Sequence, residues 1–285
     1  MAEILGDPVR LRDAVLGARA AGRRVGFVPT MGALHAGHVS LVERAAAECD
    51  DVAVSIFVNP TQFGRGEDFD RYPRPLDADC RMLAARGVRW IFAPDVAAVY
   101  PPGDATRVVV AGPAERFEGA VRPGHFTGVA TVVCRLFVAV PAHAAYFGAK
   151  DWQQTVVVKR MVRDLGLPIE VVVCPTVREP DGLALSSRNA YLSAAERVRA
   201  VALYESLDRA GRMWTAGAEI VAIERAMEET LRARDVAVDY AAIVDPESLA
   251  VPADPAASAV ALVAGRLGST RLIDNRQLPG RPGSA

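Results

Sequence analysis

The chain has 285 residues, 51% of them hydrophobic, and a formal net charge of −1. That length allows one large or two modest domains with a full core and no need of cross-links, and the near-zero charge offers no basic face for nucleic acid. No apolar run reaches the ~18 residues of a membrane span, since the nearest, GVATVVCRLFVAVPAHAAYF, is interrupted by Arg135, Pro141 and His143.

Cys49, Cys80, Cys134 and Cys174 stand far apart and form no Cys-x-x-Cys pair. This argues against a zinc ribbon and a disulfide scaffold and predicts a reduced, cytoplasmic setting; no secretory signal pattern is present at the start.

In chain order, DPVRLRDAVLGARAA reads as a helix, RVGFVP as a buried strand, HVSLVERAAAE as a helix and DVAVSIFV as a strand. LDADCRMLAARG reads as a helix, RWIFAP and AAYFG as strands, DWQQTVVVKRMVRDLG as a helix and IEVVVCP as a strand. This alternation predicts an α/β fold, with a Rossmann-like parallel sheet covered on both faces over residues 1–175. Ligands of such sheets bind beyond the carboxyl ends of the strands. Here those ends carry the polar segments PTMGALHAGH, NPTQFG and GAKDWQQ.

From about Thr176 the pattern changes. A turn-rich stretch, TVREPDGLALSSRNAYLS, precedes two helical patterns, SAAERVRAVALYESLDRAGRMW and AEIVAIERAMEETLRA. Strand candidates VDYAAIVD, AVALVAGRL and TRLID follow, predicting a smaller α/β domain over residues 176–285 with a loose tail, LPGRPGSA.

His35 and His38 are half of the four histidines, placed where a strand gives way to a helix. Residues three apart at a helix start share one face. The helix N-terminus offers unpaired amides and partial positive charge to a phosphate. Gly32 and Gly37 allow close backbone approach, and two imidazoles there can donate hydrogen bonds to charge that builds in a transition state. The stretch is neither a Walker A loop nor a dinucleotide fingerprint. Two other readings stay open: helix capping by the histidines, or a zinc site lacking its further ligands. Lys150 and Lys159 are the only lysines among 33 basic residues. Lys150 follows a strand end, which suits a compact ammonium on a ligand; Lys159 lies mid-helix and reads as solvated.

PTMGALHAGHVSL, FVNPTQF, RPGHFTGV, YFGAKDWQQ and LSSRNAYLS, in this order, resemble the motifs of the pantothenate synthetase (pantoate–β-alanine ligase) family. Its His-x-Gly-His signature is shared with nucleotidylyl transferases and class I aminoacyl-tRNA synthetases. The resemblance runs from about Val25 to Arg276. It implies condensation of (R)-pantoate with β-alanine to pantothenate through a pantoyl adenylate, with release of AMP and pyrophosphate. It also implies ATP and Mg2+, a homodimer, and no nucleic-acid or membrane partner.

The same resemblance places ATP against Met31, Gly32, Ala33, Leu34, His35, Ala36, Gly37 and His38, with His38, His35 and Lys150 as catalytic groups. Gly148, Ala149, Lys150 and Asp151 form a second ATP segment, and Leu185, Ser186, Ser187 and Arg188 a third that faces the triphosphate. Val177 supplies a backbone contact to adenine, and the smaller domain acts as a lid. Gln62, Gln154 and Asn59 are implied pantoate-site residues, although Asn59 also reads as a turn former before Pro60. Asp79 matches a carboxylate tied to magnesium and phosphates, and also reads as an exposed helical aspartate. Arg122 and His125 are motif members without an assigned role. The family commonly has a charged or amide residue at Ala149, often a methionine at Leu185, and an aspartate at Thr127. An adenylating enzyme for a different acid is the alternative within the same fold; FVNPTQF and YFGAKDWQQ argue for pantoate.

Overall fold

Apolar strands that alternate with amphipathic helices bury both faces of a sheet, and the computed structural model has that arrangement. It describes residues 2–64, 66–254 and 257–281. The chain divides into two units: Met1–Gly148 with Val157–Pro175, and Ala149–Val156 with Thr176–Ala285. The sequence-based partition at 175/176 differs in one respect, because residues 149–156 go with the second unit. Long-range hydrogen bonds from within that unit cause this: the Asn275 amide donates to the Ala149 and Lys150 carbonyls, and the Trp152 indole donates to the Pro246 carbonyl.

The first unit holds β1 (Glu3–Leu5), α1 (Pro8–Ala20), β2 (Val25–Thr30), α2 (Ala36–Glu48), β3 (Asp51–Ile56), α3 (Leu76–Ala84) and β4 (Trp90–Phe92). It continues through the short helices α4 (Val96–Val99) and α5 (Glu118–Val121), then α6 (His125–Ala139) and β5 (Ala144–Gly148). Helix α7 (Trp152–Asp164) starts in the second unit and ends in the first, followed by β6 (Glu170–Cys174). The strand order is β1-β4-β3-β2-β5-β6 and every pair is parallel. The order reverses at β2, so the crevice outside the carboxyl ends of β2 and β5 is where such a sheet takes a ligand.

Neighbouring residues of β2 feed opposite cores. Phe27 packs with Leu11, Val15 and the α6 residues Val133 and Phe137, while Val28 packs with Leu41 and Val42 of α2 and Leu83 of α3. Trp90 is buried in the first of these clusters. Helix α6 and the edge strand β1 have no counterpart among the sequence-based elements. Ten of the α6 residues are buried, so its apolar positions surround the helix and leave no stripe to read.

The second unit is a three-stranded antiparallel sheet, β7 (Ala237–Val244), β8 (Ala259–Leu267) and β9 (Thr270–Leu278), in the order β7-β8-β9. It packs with α8 (Ala194–Ala200), α9 (Ala202–Thr215) and α10 (Ile220–Arg232). The single helical pattern expected over 193–214 breaks at Val201 into α8 and α9. Ser193 caps α8 in a reciprocal box with Glu196, the Ser/Glu spacing that marks a helix start. Trp214 is buried, and its indole donates to the Pro279 carbonyl at 2.7 Å beneath the Arg281 guanidinium. The tail expected to be loose is therefore tied down as far as Arg281; residues 282–285 lie outside the described residues. Among the described residues no helix is long and apolar enough to cross a membrane.

Gly128 and Gly17 make opposite predictions. A Cβ on Gly128 in α6 would lie 2.3 Å from the Thr61 carbonyl oxygen, whereas one on Gly17 in α1 meets nothing within 4 Å. Gly128→Ala should cost about 3 kcal/mol through overpacking against rigid backbone. Gly17→Ala should stabilise by about 0.5–1 kcal/mol by restricting the unfolded chain. Chemical denaturation of the two variants reads both signs.

Candidate active site

The chain leaves β2 through a bend that only particular residues permit. Thr30 Oγ1 donates to the Ser55 carbonyl at 2.6 Å and accepts from Gly32 N–H at 3.2 Å. Gly32 has φ +79°, and a Cβ there would sit 2.9 Å from Ile56 Cγ2 and 3.0 Å from Asp79 Oδ2. Ala33 follows with φ +51°, a left-handed conformation that costs about 1–2 kcal/mol in a residue with a side chain. Asp79 holds it there. Its two carboxylate oxygens accept from the Ala33 and Leu34 amides at 2.8 and 2.9 Å.

Asp79 is thus not the exposed helical aspartate that one reading expected. It is 2% exposed, so it is no surface residue of α3, and both oxygens are engaged by backbone amides. Among the described residues no group of three or more His, Cys, Asp or Glu could hold a metal ion.

Beyond the bend, His35 is the N-cap of α2. Its Nδ1 accepts from Gly37 N–H at 3.1 Å, and His38 Nδ1 accepts from His35 N–H at 3.3 Å. The two rings stand 4.1 Å apart, tilted by 45°. The capping and ligand readings are therefore not alternatives. Because each Nδ1 receives a backbone proton, each neutral ring carries its own proton on Nε2. The cap fixes the tautomer and puts the ring proton on Nε2, at the end of the helix dipole. With Nε2 protonated in that tautomer, neither ring offers it to zinc while the caps hold.

After β3, Pro60–Gln62 form a 3-10 turn capped by Asn59. Asn59 is 1% exposed. Its Oδ1 accepts from Thr61 N–H, Thr61 Oγ1 and the Tyr100 hydroxyl, and its Nδ2 donates to Gln62 Oε1 and the Gly128 carbonyl. Asn59 is the turn former that its place before Pro60 suggests, and its Nδ2 bond orients Gln62. Gln62 Nε2 approaches Met31 Sδ at 3.2 Å, which brings FVNPTQF and PTMGAL together.

Gln62 is fixed from behind as well. Its carbonyl accepts from Arg122 Nη2 at 3.2 Å and lies 2.8 Å from His125 Nδ1. Arg122 forks onto Glu67 at 2.5 and 2.8 Å, and its Nη1 lies 3.1 Å from His125 Nε2. Burial pushes His125 down to about 4, and the Arg122 charge adds to that. A neutral ring donates from Nδ1 to Gln62 and accepts at Nε2 from Arg122. Burial alone would raise the Glu67 carboxyl, but the Arg122 hydrogen bonds and charge outweigh it and hold Glu67 below the ordinary glutamate value. Arg122 and His125 thus acquire a supporting role that their motif alone did not reveal.

The second unit carries its own set. Ala149, Lys150 and Asp151 form a 3-10 turn directly after Gly148, and Gln154 lies in the first turn of α7. The Lys150 ammonium makes no ion pair with any described residue. The Leu185 amide donates to the Val177 carbonyl, closing the base of the 177–185 loop. Ser186 caps a second 3-10 turn, Ser187–Tyr191, by accepting from Arg188 N–H at 3.3 Å. Arg178, Asp274 and Asn275 link these segments; they fall within the stretch of resemblance but no role was read for them.

The family model for pantoate-beta-alanine ligase matches residues 3–277. A pantothenate synthetase of Rubrobacter xylanophilus is 52% identical over 288 residues, covering 98% of this chain and 99% of that protein. A crystal structure of pantothenate synthetase from Thermus thermophilus superposes with a TM-score of 0.91 at 53% identity, over 96% of this chain and 98% of the other. The pantoate-beta-alanine ligase of Francisella tularensis, solved with beta-gamma ATP and beta-alanine, superposes with a TM-score of 0.81 at 32% identity, over 97% of each chain.

Two outcomes follow from this geometry. Asp79→Asn removes one acceptor and turns an N–H2 toward a backbone amide, so it should destabilise the first unit by about 2 kcal/mol. The same variant should speed hydrogen exchange of the Ala33 and Leu34 amides, followed by NMR. For His125, the unfolded chain takes up the proton near 6.5 and the folded chain only near 4. Stability is therefore complete above pH 6.5 and is lost as the pH falls towards 4, by roughly 3 kcal/mol in all and about 2 kcal/mol by pH ~5. His125→Gln should flatten that slope in urea titrations between pH ~8 and ~5, with His143 common to both proteins.

Proposed function

The chain belongs to the pantoate–β-alanine ligase family, and we propose that the bend after β2 and the first turn of α2 seat the phosphates on which it works. The enzyme is a carbon–nitrogen ligase that joins pantoate to β-alanine at the expense of ATP. In the first step a pantoate carboxylate oxygen bonds to the α-phosphorus, and the α–β bridging P–O bond breaks with its electron pair leaving on pyrophosphate. In the second, the β-alanine amine bonds to the acyl carbon, the bond to AMP breaks, and one amine proton is given up.

The first step needs no base, because the carboxylate is already ionised near neutral pH. It needs two anions brought into line, and charge on the phosphoryl oxygens offset by fixed donors. In our reading the donors of the first unit are the α2 amides with His35 and His38 Nε2–H, held ready by their own caps. The reciprocal capping of these two histidines is the observation that carries the proposal. Gln62 binds pantoate through its amide, which orients the acid without an ion pair that would blunt its nucleophilicity, and Asn59 positions Gln62.

From the second unit, Gln154 is a further pantoate contact, Lys150 and Arg188 supply charge to the ATP phosphates, Ala149 to Asp151 and Leu185 to Ser187 line the nucleotide, and Val177 contacts adenine; Gly148 of the first unit is a further nucleotide-lining residue. ATP enters as its magnesium complex, and Asp79 is the carboxylate that would help hold the ion beside the phosphates. The assembly is a homodimer working in the cytoplasm.

Release of AMP and pyrophosphate, measured with pantoate and β-alanine together and with each omitted, tests this. Release should require pantoate, and pantothenate should form only with β-alanine present. His38→Ala should lower pantoate-dependent pyrophosphate release by about 10²- to 10³-fold, while the lost cap costs only about 1 kcal/mol of stability. Unchanged release from a folded His38→Ala protein would overturn the assignment of the donors.

A further inference from the structure

Two loops of the second unit meet on one buried strand segment. Asp274 and Asn275 are consecutive residues of β9, 3% and 5% exposed. Asn275 Nδ2 donates to the carbonyls of both Ala149 and Lys150, at 2.8 and 2.7 Å. Its amide therefore closes the 3-10 turn from which the Lys150 side chain springs. Asp274 accepts a two-pronged bond from Arg178, Nη1 to Oδ2 at 2.6 Å and Nη2 to Oδ1 at 3.0 Å. The same guanidinium donates to the Gly182 carbonyl at 3.0 Å and the Asn275 carbonyl at 3.2 Å, and stacks over Tyr204. Gly182, with φ +95°, leaves no room for a side chain against the Tyr204 ring. The 178–184 loop is pinned at its turn, and Arg178 pairs with Ala184 across its base.

We infer that Arg178, Asp274 and Asn275 are positioning residues for the adenylation step, one hydrogen-bonded unit that sets the Lys150 turn and the loop leading into Ser186–Arg188 from a single strand. The inference rests on the assignment of Lys150 to the ATP phosphates made above. Its physical basis is the strand. A buried backbone paired along its length with β8 moves little, and the Asn275 amide on it fixes the carbonyls on either side of Lys150 Cα. The lysine stem then starts from a set point, with less freedom to lose when it meets phosphate. Burial pushes the Asp274 carboxyl above the ordinary aspartate value, and the Arg178 fork works against that; the guanidinium has donors for the loop as well as for the carboxylate.

A double-mutant cycle distinguishes positioning from mere support. Pantoate-dependent pyrophosphate release is measured under single-turnover conditions for the full chain and for Asn275→Ala, Lys150→Ala and the double variant. Asn275→Ala alone should lower kcat/KM for ATP by about 10- to 100-fold. In the Lys150→Ala background it should change the rate by less than about 2-fold, because what it positions is gone. An equal loss in both backgrounds overturns the inference. So does full activity of a folded Asn275→Ala protein. If Lys150→Ala itself is fully active, the failure lies with the phosphate assignment and is recognised as such. Arg178→Lys, which keeps a charge on Asp274 but loses the fork, serves if Asn275→Ala does not fold. Its rate loss should likewise shrink in the Lys150→Ala background, and an undiminished loss counts against the inference.

Discussion

A buried carboxylate accepting two consecutive amides is the interaction on which the first unit's site depends. Without Asp79 the cost of a left-handed alanine would go uncompensated, and the bend between β2 and α2 would relax. The position of that bend decides where α2 begins, and its beginning decides where the two imidazoles sit. A charge 2% exposed is tolerable because backbone N–H groups replace its water. The arrangement stabilises a strained conformation at one place so that the donors beyond it need not reorganise.

The polar groups behind the two ligand-facing regions follow different rules. Around Gln62 the supports are an amide, a neutral imidazole and an arginine neutralised by Glu67. No uncompensated charge stands behind the glutamine, which suits an amide meant to orient an acid. In the second unit the support is an internal ion pair, Arg178 with Asp274, whose spare donors reach two loops. Both supports are built from residues far apart in sequence, which ties the loops to elements that do not move easily.

This explains what could be read from the chain alone. The buried parallel strands and the helix caps at Ser193 and His35 are local patterns, and their residues announce them. The ligand-facing segments were legible as ordered motifs. Helix α6 was not, because ten of its residues are buried and apolar positions run all round it, leaving no wide polar face to set its period. The contacts of Asp79 and Asn59 were not legible because each is held by partners distant in sequence: Asp79 by amides 45 and 46 positions away, and Asn59 by Tyr100 and Gly128. A hydrogen bond across such a span leaves no spacing in the sequence. Likewise, residues 149–156 read as part of the first domain and pack with the second because the side chain that captures them, Asn275, comes more than a hundred residues later.

The placement of the indoles has an optical consequence. Trp90 lies in the core of the first unit and Trp214 in that of the second, each shielded from water and each under an arginine. The third, Trp152, is only partly buried, at the start of α7. Replacing Trp152 by phenylalanine would leave one emitter per unit, and single-tryptophan versions would report each melting event separately. Coincident transitions would mean that the two units unfold as one cooperative body, and separate transitions would give each its own free energy. The chain thus carries its own pair of fluorophores for deciding whether it unfolds in one step or two.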